Sequence, residues 1–229
     1  MPTTAGERRP LTSRDSRWAR ALASALVRRR VRPNAISVGS VVAAAVGCAA
    51  FACAPTMSEP GWRAGLYVLA AASIQLRLLC NLLDGMVAIE GGLGGRTGEL
   101  FNELPDRFGD LLLIVGAGYA ARELSHAVEL GWLATALALI TAYVRALGKS
   151  IGGGMHFLGP MAKPHRMATL TIAALVAAGV AFVAGGEPGS QAREAEARTL
   201  VVALAAIAIG CVLTIARRLR RIRDTLEAA

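Results

Sequence analysis

The chain has 229 residues, of which 54% are apolar, 5% aromatic and 18% charged. So much small apolar surface with so few rings argues against a soluble enzyme, and about six membrane spans of roughly 20 residues would account for it. The formal net charge is +9, but the basic residues lie at the ends of long uncharged stretches. This arrangement argues against nucleic acid as a partner and favours lipid head groups or a phosphate-bearing substrate at the membrane surface.

The first 33 residues are predicted to form a basic N-terminal head. All its arginines lie between Arg8 and Arg32, and no apolar run of signal-peptide length separates them. Trp18, Leu22 and Leu26 recur at helical spacing among these arginines. The pattern predicts an amphipathic helix lying in the membrane interface, with a disordered basic tail as the alternative.

Six transmembrane helices are predicted over residues 34–217, followed by a basic cytoplasmic tail over 218–229. The fold class is therefore an all-α polytopic membrane protein. The predicted spans, in chain order, are Ala35–Ala54, Ala64–Leu83, Phe108–Ala121, Val128–Val144, Met167–Gly185 and Thr199–Ala216. A very short turn containing Arg122 and Glu123 separates the third span from the fourth.

The positions of Lys and Arg predict the orientation of these spans. If the N-terminus is cytoplasmic, most of the 25 basic residues lie on the cytoplasmic side, and Arg77 lies inside the second span. The basic residues on the opposite side are Arg63, Arg122, Arg193 and Arg198. This bias obeys the positive-inside rule. We therefore expect a multi-pass protein of a bacterial cytoplasmic membrane, with both termini and the segments Asp84–Pro105 and Arg145–Arg166 facing the cytoplasm.

Oxygen-bearing side chains concentrate at the junction of the second and third spans. Asn81 and Asp84 are three residues apart, and Asn102, Asp106 and Asp110 follow at intervals of four. These spacings place each set along one helix face. A glycine-rich turn between the two spans allows the faces to meet at the membrane surface. Such an oxygen-rich pocket favours a hard divalent cation such as Mg²⁺.

These residues resemble the signature of the CDP-alcohol phosphatidyltransferases, D-x-x-D-G-x-x-A-R-x8-G-x-x-x-D-x-x-x-D. The spacing is kept throughout, and the corresponding positions here are Asn81, Asp84, Gly85, Ala88, Ile89, Gly98, Asn102 and Asp106. In this family the motif also lies between the second and third of six transmembrane helices, after an N-terminal interfacial helix. The resemblance therefore covers nearly the whole chain.

The resemblance implies transfer of the phosphatidyl group from CDP-diacylglycerol to the hydroxyl of a small alcohol, with release of CMP. It implies Asp106 as the general base, membrane lipids as partners and a homodimer. The implied ligands of Mg²⁺ or Mn²⁺ are Asn81, Asp84, Asn102 and Asp106, with Asp110 as a further candidate. The implied contacts of the CDP group are Asp84, Gly85, Ala88 and Gly98. Close helix packing explains Gly85 and Ala88 equally well.

Three positions depart from the signature. Asn81 and Asn102 replace aspartates, so the site loses two formal negative charges and is expected to bind a divalent cation more weakly. Ile89 replaces an arginine. Arg77 can substitute for it as a phosphate contact, because residues 77, 81 and 84 share a helix face. The alternative for Arg77 is a structural pairing with a neighbouring span, or a position that snorkels to the interface.

The second cytoplasmic segment carries a set of basic side chains around a glycine-rich turn. The predicted phosphate and acceptor contacts here are Arg145, Lys149, Lys163, His165 and Arg166. If they bind an anion, an acceptor that carries its own phosphate is favoured. A solvated basic loop that merely follows the insertion rule has the same composition.

Two other function classes remain open. The substitutions at Asn81, Ile89 and Asn102 are compatible with a catalytically silent relative that binds nucleotide lipid. A small transporter is the second alternative, although the few intramembrane charges lie at one side instead of along a path.

Overall fold

The computed structural model describes residues 16–92, 98–184 and 190–228, without the side chains of Glu99 and Asn102. The helices within these ranges are α1 (Arg17–Arg28), α2 (Pro33–Cys53), α3 (Pro60–Glu90), α4 (Gly98–Ala120), α5 (Ala127–Ser150), α6 (Lys163–Ala184) and α7 (Gln191–Glu227), with a 3-10 turn, Ala54–Thr56, after α2. The described part of the chain contains no β-strand. The all-α prediction is confirmed for it.

Each predicted span coincides with one of the helices α2 to α7. Five of the described helices are long and apolar enough to cross a membrane. The exception is α4, because its first half carries Glu103, Asp106, Arg107 and Asp110. Large apolar side chains face outwards from the helices, such as Phe182, which is 75% exposed. These features are those of a multi-pass integral membrane protein.

Small residues fill the interior between the helices. Helix α2 packs against α3 and α4, α3 against α6, and α7 against α5 and α6. The core contains many fully buried alanines, including Ala44, Ala117 and Ala138. Helices α4 and α5 approach closely at two glycines, since a Cβ built on Gly118 would lie 3.1 Å from the Cα of Gly131. Backbone approach of this kind allows dense packing in the absence of large side chains.

A cluster of buried charges ties together the bundle end where α3 begins. Arg63 is fully buried and pairs with Glu196 of α7 at 3.2 Å. Arg193, also on α7, donates hydrogen bonds of 2.9 Å to the carbonyl of Pro55 and 2.8 Å to that of Met57. Arg63 and Arg193 therefore hold the α2–α3 connection against α7. The sequence predicted them only as basic residues of the side opposite the cytoplasm.

At the N-terminus, the described part of the basic head is a helix. Ala19 and Ala23 of α1 are fully buried against the last turns of α3, whereas Trp18 and Leu22 are exposed. Helix α1 thus has one packed side and one exposed apolar side. The predicted head residues 1–15 lie outside the described residues.

The C-terminal segment differs from the separate tail predicted over 218–229. Helix α7 continues to Glu227, and Arg218 is only 5% exposed. The Arg218 side chain donates to the carbonyls of Leu158 and Thr141, while Ile222 packs against Gly153. Buried positions therefore continue at helical spacing beyond the uncharged stretch and past residue 217.

Candidate functional site

Two predicted site residues on neighbouring helices meet directly. Asn81 lies on α3 and Asp106 on α4, and Asn81 Nδ2 donates a hydrogen bond of 2.8 Å to Asp106 Oδ1. Asp84 is one helical turn beyond Asn81 on the same helix face. The structure therefore brings the two halves of the motif together. Asn102, the remaining motif position on α4, has its side chain outside the described residues.

Asp106 is also contacted by cationic side chains. Lys163, the first residue of α6, forms an ion pair with Asp106 Oδ1, and Arg77 Nη2 lies 3.7 Å from the same oxygen. The Asp106 side chain keeps 14% of its surface exposed. The described hydrogen bonds and ion pairs of this carboxylate all fall on Oδ1. Oδ2 is therefore the oxygen left for a ligand or a proton.

Asp84 is a buried carboxylate with one unsatisfied oxygen. Its side chain is 5% exposed, and Ser37 of α2 donates a 2.8 Å hydrogen bond to Oδ2. The carboxylate interacts electrostatically with Asp106 and Lys163 and with the backbone N–H of Gly85. Among the described residues, however, Oδ1 has no hydrogen bond of normal geometry. An unpartnered buried anionic oxygen is costly and indicates a missing partner such as an ion or water.

Asp110 is fully engaged by two arginines. Its Oδ1 accepts from Arg77 Nη2 at 2.8 Å and its Oδ2 from Arg166 Nη2 at 2.5 Å, and the three side chains are at most 2% exposed. Gly109 makes room for this contact, since an added Cβ would collide with the Arg77 side chain. Arg77 also donates 2.9 Å to the Asp106 carbonyl. The triad therefore joins α3, α4 and α6 beneath Asp106.

The geometry favours a structural role for Asp110, Arg77 and Arg166, which the sequence predicted to bind ligands. Asp110 was a further candidate for metal binding, and Arg77 and Arg166 for phosphate. Asp110 is held by both arginines, whose remaining Nη1 atoms contact the Met167 sulfur and the Met161 carbonyl. The three residues join α3, α4 and α6, and Arg77 also contacts Asp106 directly.

The other predicted basic residues lie nearer the surface. Arg145 pairs with Glu103 at 2.5 Å and lies 5.5 Å from the ring centroid of Phe157. Lys149 and His165 are exposed. Only Lys163 of this set contacts Asp106 in the part of the chain that is described.

The predicted nucleotide contacts lie beside this cluster. Gly85 and Ala88 are half-buried near the end of α3, and Gly98 is exposed at the start of α4, with open space where a Cβ would lie. Ile89, which replaces the signature arginine, is 55% exposed.

Sequence reasoning missed two contacts of this site. Ser37, which orients Asp84, is one of several small polar residues in α2, and no spacing rule connects it to a position 47 residues later. Lys163 was predicted to bind phosphate, but its pairing with Asp106 was not. The only sequence signal for this pairing was that Lys163 is a basic residue in the first turn of a helix.

The donors among the described residues fit one hard cation. The available oxygens are those of Asp84, Asp106 and the Asn81 amide, and the unpartnered Asp84 Oδ1 is the kind of atom that binds such an ion. Among the described side chains, no group of three His, Cys, Asp or Glu is placed to hold a metal.

The helical arrangement is shared with solved structures of one membrane enzyme of lipid synthesis, phosphatidylinositol phosphate synthase. The Mycobacterium tuberculosis enzyme (PgsA1) with CDP-DAG bound has 20% sequence identity and a TM-score of 0.70, over 90% of this chain and 94% of that chain. Its complex with manganese and citrate has 21% identity and a TM-score of 0.66, over 89% and 88%. The apo form has 22% identity and a TM-score of 0.63, over 88% and 94%.

At this level of identity the similarity establishes the fold. No protein-family model matches the chain, and no curated protein matches it significantly.

Proposed function

We propose that the protein is a CDP-alcohol phosphatidyltransferase, which transfers the phosphatidyl group of CDP-diacylglycerol to the hydroxyl of a small alcohol and releases CMP. The observation that carries the proposal is the contact between Asn81 and Asp106, which joins the two halves of the motif. A fold similar to an enzyme solved with CDP-DAG bound, over 90% of this chain, supports the substrate class.

In this mechanism Asp106 is the general base. Its Oδ2 accepts the proton of the acceptor hydroxyl while the hydroxyl oxygen forms a bond to the phosphatidyl phosphorus. The bond from that phosphorus to CMP breaks, and CMP leaves with the electron pair. Packing of α3, α4 and α6 around the carboxylate limits access of water, which would otherwise compete as the acceptor.

Asn81, Asp84 and Asp106 hold Mg²⁺ or Mn²⁺ in this proposal, and Asn102 joins them by its place in the motif. A divalent cation at this site would neutralise phosphate charge. Ser37 holds Asp84 through Oδ2, and Oδ1 is the oxygen available to the cation. Asp84, Gly85, Ala88 and Gly98 line the place of the CDP group.

The acceptor carries its own phosphate in this proposal, because Lys163 contacts Asp106 and the same cytoplasmic segment carries further basic side chains. Lys163, Lys149, Arg145 and His165 supply its contacts, whereas Arg77 and Arg166 act through Asp110. The identity of the alcohol is left to the assay below.

We further propose six membrane spans, formed by the five long apolar helices and by α4. Both termini and the site lie at the cytoplasmic face. Helix α1 lies in the interface, since its exposed Trp18 and Leu22 accompany arginines. The functional unit is a homodimer in a bacterial cytoplasmic membrane, in contact with its lipids.

A catalytically silent protein that binds nucleotide lipid is the second candidate. The observation that favours it is the contact of Asp106 with both Lys163 and Asn81, together with the substitutions at Ile89 and Asn102. A silent protein would keep the fold and bind CDP-diacylglycerol without turnover.

Release of CMP distinguishes these candidates. Purified protein is incubated with CDP-diacylglycerol, Mg²⁺ or Mn²⁺ and a panel of free and phosphorylated alcohols, and CMP and the lipid product are quantified. Metal-dependent CMP release with a matching lipid product, absent in Asp106→Asn, is expected. Binding of CDP-diacylglycerol without turnover on any alcohol would support the silent protein. Solute flux through liposomes without a lipid product would support a transporter.

A further inference from the structure

The two asparagines of the motif remove two negative charges from the site. That number equals the positive charge of one divalent metal ion. Positions 81 and 102 carry asparagine where the signature has aspartate, so two negative charges are absent. Asp110 is paired with both Arg77 and Arg166, and Arg77 Nη2 also lies 3.7 Å from Asp106 Oδ1. The described carboxylates left for cations are those of Asp84 and Asp106.

A protein cation already occupies one side of Asp106. Lys163 forms an ion pair with Oδ1, and its side chain is only 22% exposed. Arg166 is one helical turn further along α6 and is anchored to Asp110. This anchor fixes the start of α6 relative to α4, so the ammonium is held at the carboxylate by packing and not by surface attraction alone.

Asp84 provides the contrasting oxygen. Its Oδ1 is buried without a partner among the described residues, whereas Asp106 Oδ1 receives both Asn81 and Lys163. The protein's own donors therefore converge on Asp106 Oδ1 and not on Asp84 Oδ1.

We propose that Lys163 takes the electrostatic place of a second metal ion, so that the protein uses one divalent cation and one ammonium. The inference rests on the proposed function and concerns how its site is charged. An ammonium has three donors, so Lys163 can contact Asp106 and still donate to a phosphate oxygen of the substrate. It provides one positive charge that does not depend on metal concentration.

Counting bound Mn²⁺ tests the inference without any lipid substrate. Electron paramagnetic resonance of free Mn²⁺ gives the number of ions bound by the purified full chain in detergent. One ion per chain is expected for the unmodified protein. Lys163→Met is expected to tighten that ion roughly tenfold, because the nearby positive charge is removed. Arg220→Met, which removes an exposed charge of α7, is the matched control and should leave the affinity unchanged.

Restoring the carboxylates should restore tight binding of a second ion only when Lys163 is also removed. Asn81→Asp with Asn102→Asp and Lys163→Met is expected to bind two Mn²⁺. The same two aspartates with Lys163 retained should bind the second ion roughly tenfold or more weakly. Two ions of similar affinity in the unmodified protein, no bound ion, or an affinity insensitive to Lys163→Met would each overturn the inference. The count in the unmodified protein is decisive even if a variant does not fold.

The two proposals fail in different ways. Transfer activity together with two bound Mn²⁺ would overturn the one-cation inference and leave the proposed function intact. One bound Mn²⁺ that tightens in Lys163→Met, without transfer to any alcohol, would overturn the proposed function while the cation count still holds.

Discussion

Replacing Asp110 by asparagine is expected to destabilise the protein by about 3–5 kcal/mol, the cost of removing one partner from a buried charge pair. Asp110 binds one arginine with each oxygen, at 2.8 Å and 2.5 Å, and all three side chains are almost completely buried. The asparagine oxygen can still accept from one guanidinium. Its NH₂ group would face the donors of the other, so one attractive contact becomes a contact between two donors.

Thermal unfolding in detergent measures this cost. For a chain of this length, 3–5 kcal/mol corresponds to a decrease in Tm of roughly 6–20 °C. Glu103→Gln is the matched control, because Glu103 pairs with Arg107 and Arg145 but its side chain is 52% exposed. That substitution should cost less than about 1 kcal/mol.

Two results would refute the reasoning about Asp110. An unchanged Tm would show that the triad does not hold the helices. A normal Tm combined with a large loss of Mn²⁺ affinity would make Asp110 a metal ligand, as the sequence first suggested. A further check is to replace all three side chains together, by Leu for Asp110 and Met for both arginines, which should destabilise less than Asp110→Asn because no buried charge is left unpaired.

Three further outcomes follow from the contacts described above. Asp106→Ala should abolish CMP release and should also lower the Tm, because the Lys163 ammonium loses its carboxylate; retained turnover would remove the general-base assignment. Glu196→Gln should lower stability by about 3 kcal/mol, measured by thermal unfolding, because Arg63 is fully buried; an equal Tm would contradict a role for this pair. Gly118→Leu should cost at least about 1–3 kcal/mol by forcing α4 away from Gly131, and unaltered stability would show that the helices can separate freely.

The positions of the long helices could be predicted because uncharged stretches of about 20 residues have few alternatives to a membrane span. The ends of the helices were predicted less well. Helices α3 and α4 continue through the charged motif, as far as Glu90 and from Gly98, where hydropathy alone suggests a loop. Side chains such as Asn81 and Asp106 are polar but satisfied by one another, so the backbone stays helical.

The meeting of α3 and α4 at the motif also follows from spacing, since residues three or four apart share a face. The partners of the carboxylates, in contrast, cannot be predicted from spacing. Asp110 and Arg166 are separated by 56 residues, and Asp84 and Ser37 by 47. Such pairs depend on which helices pack side by side, and this information is not contained in any local pattern.

Helix α7 has 37 residues, and at 1.5 Å per residue it is roughly 55 Å long, well beyond the roughly 30 Å of hydrocarbon in a bilayer. One end carries Arg193 and Glu196, and the other carries Arg218 against the segment before α6. Helix α7 thus connects the bundle end at Arg193 and Glu196 to the segment that precedes Lys163. A shift of that segment would either tilt α7 or break the Arg218 contacts, so α7 links the two ends of the bundle.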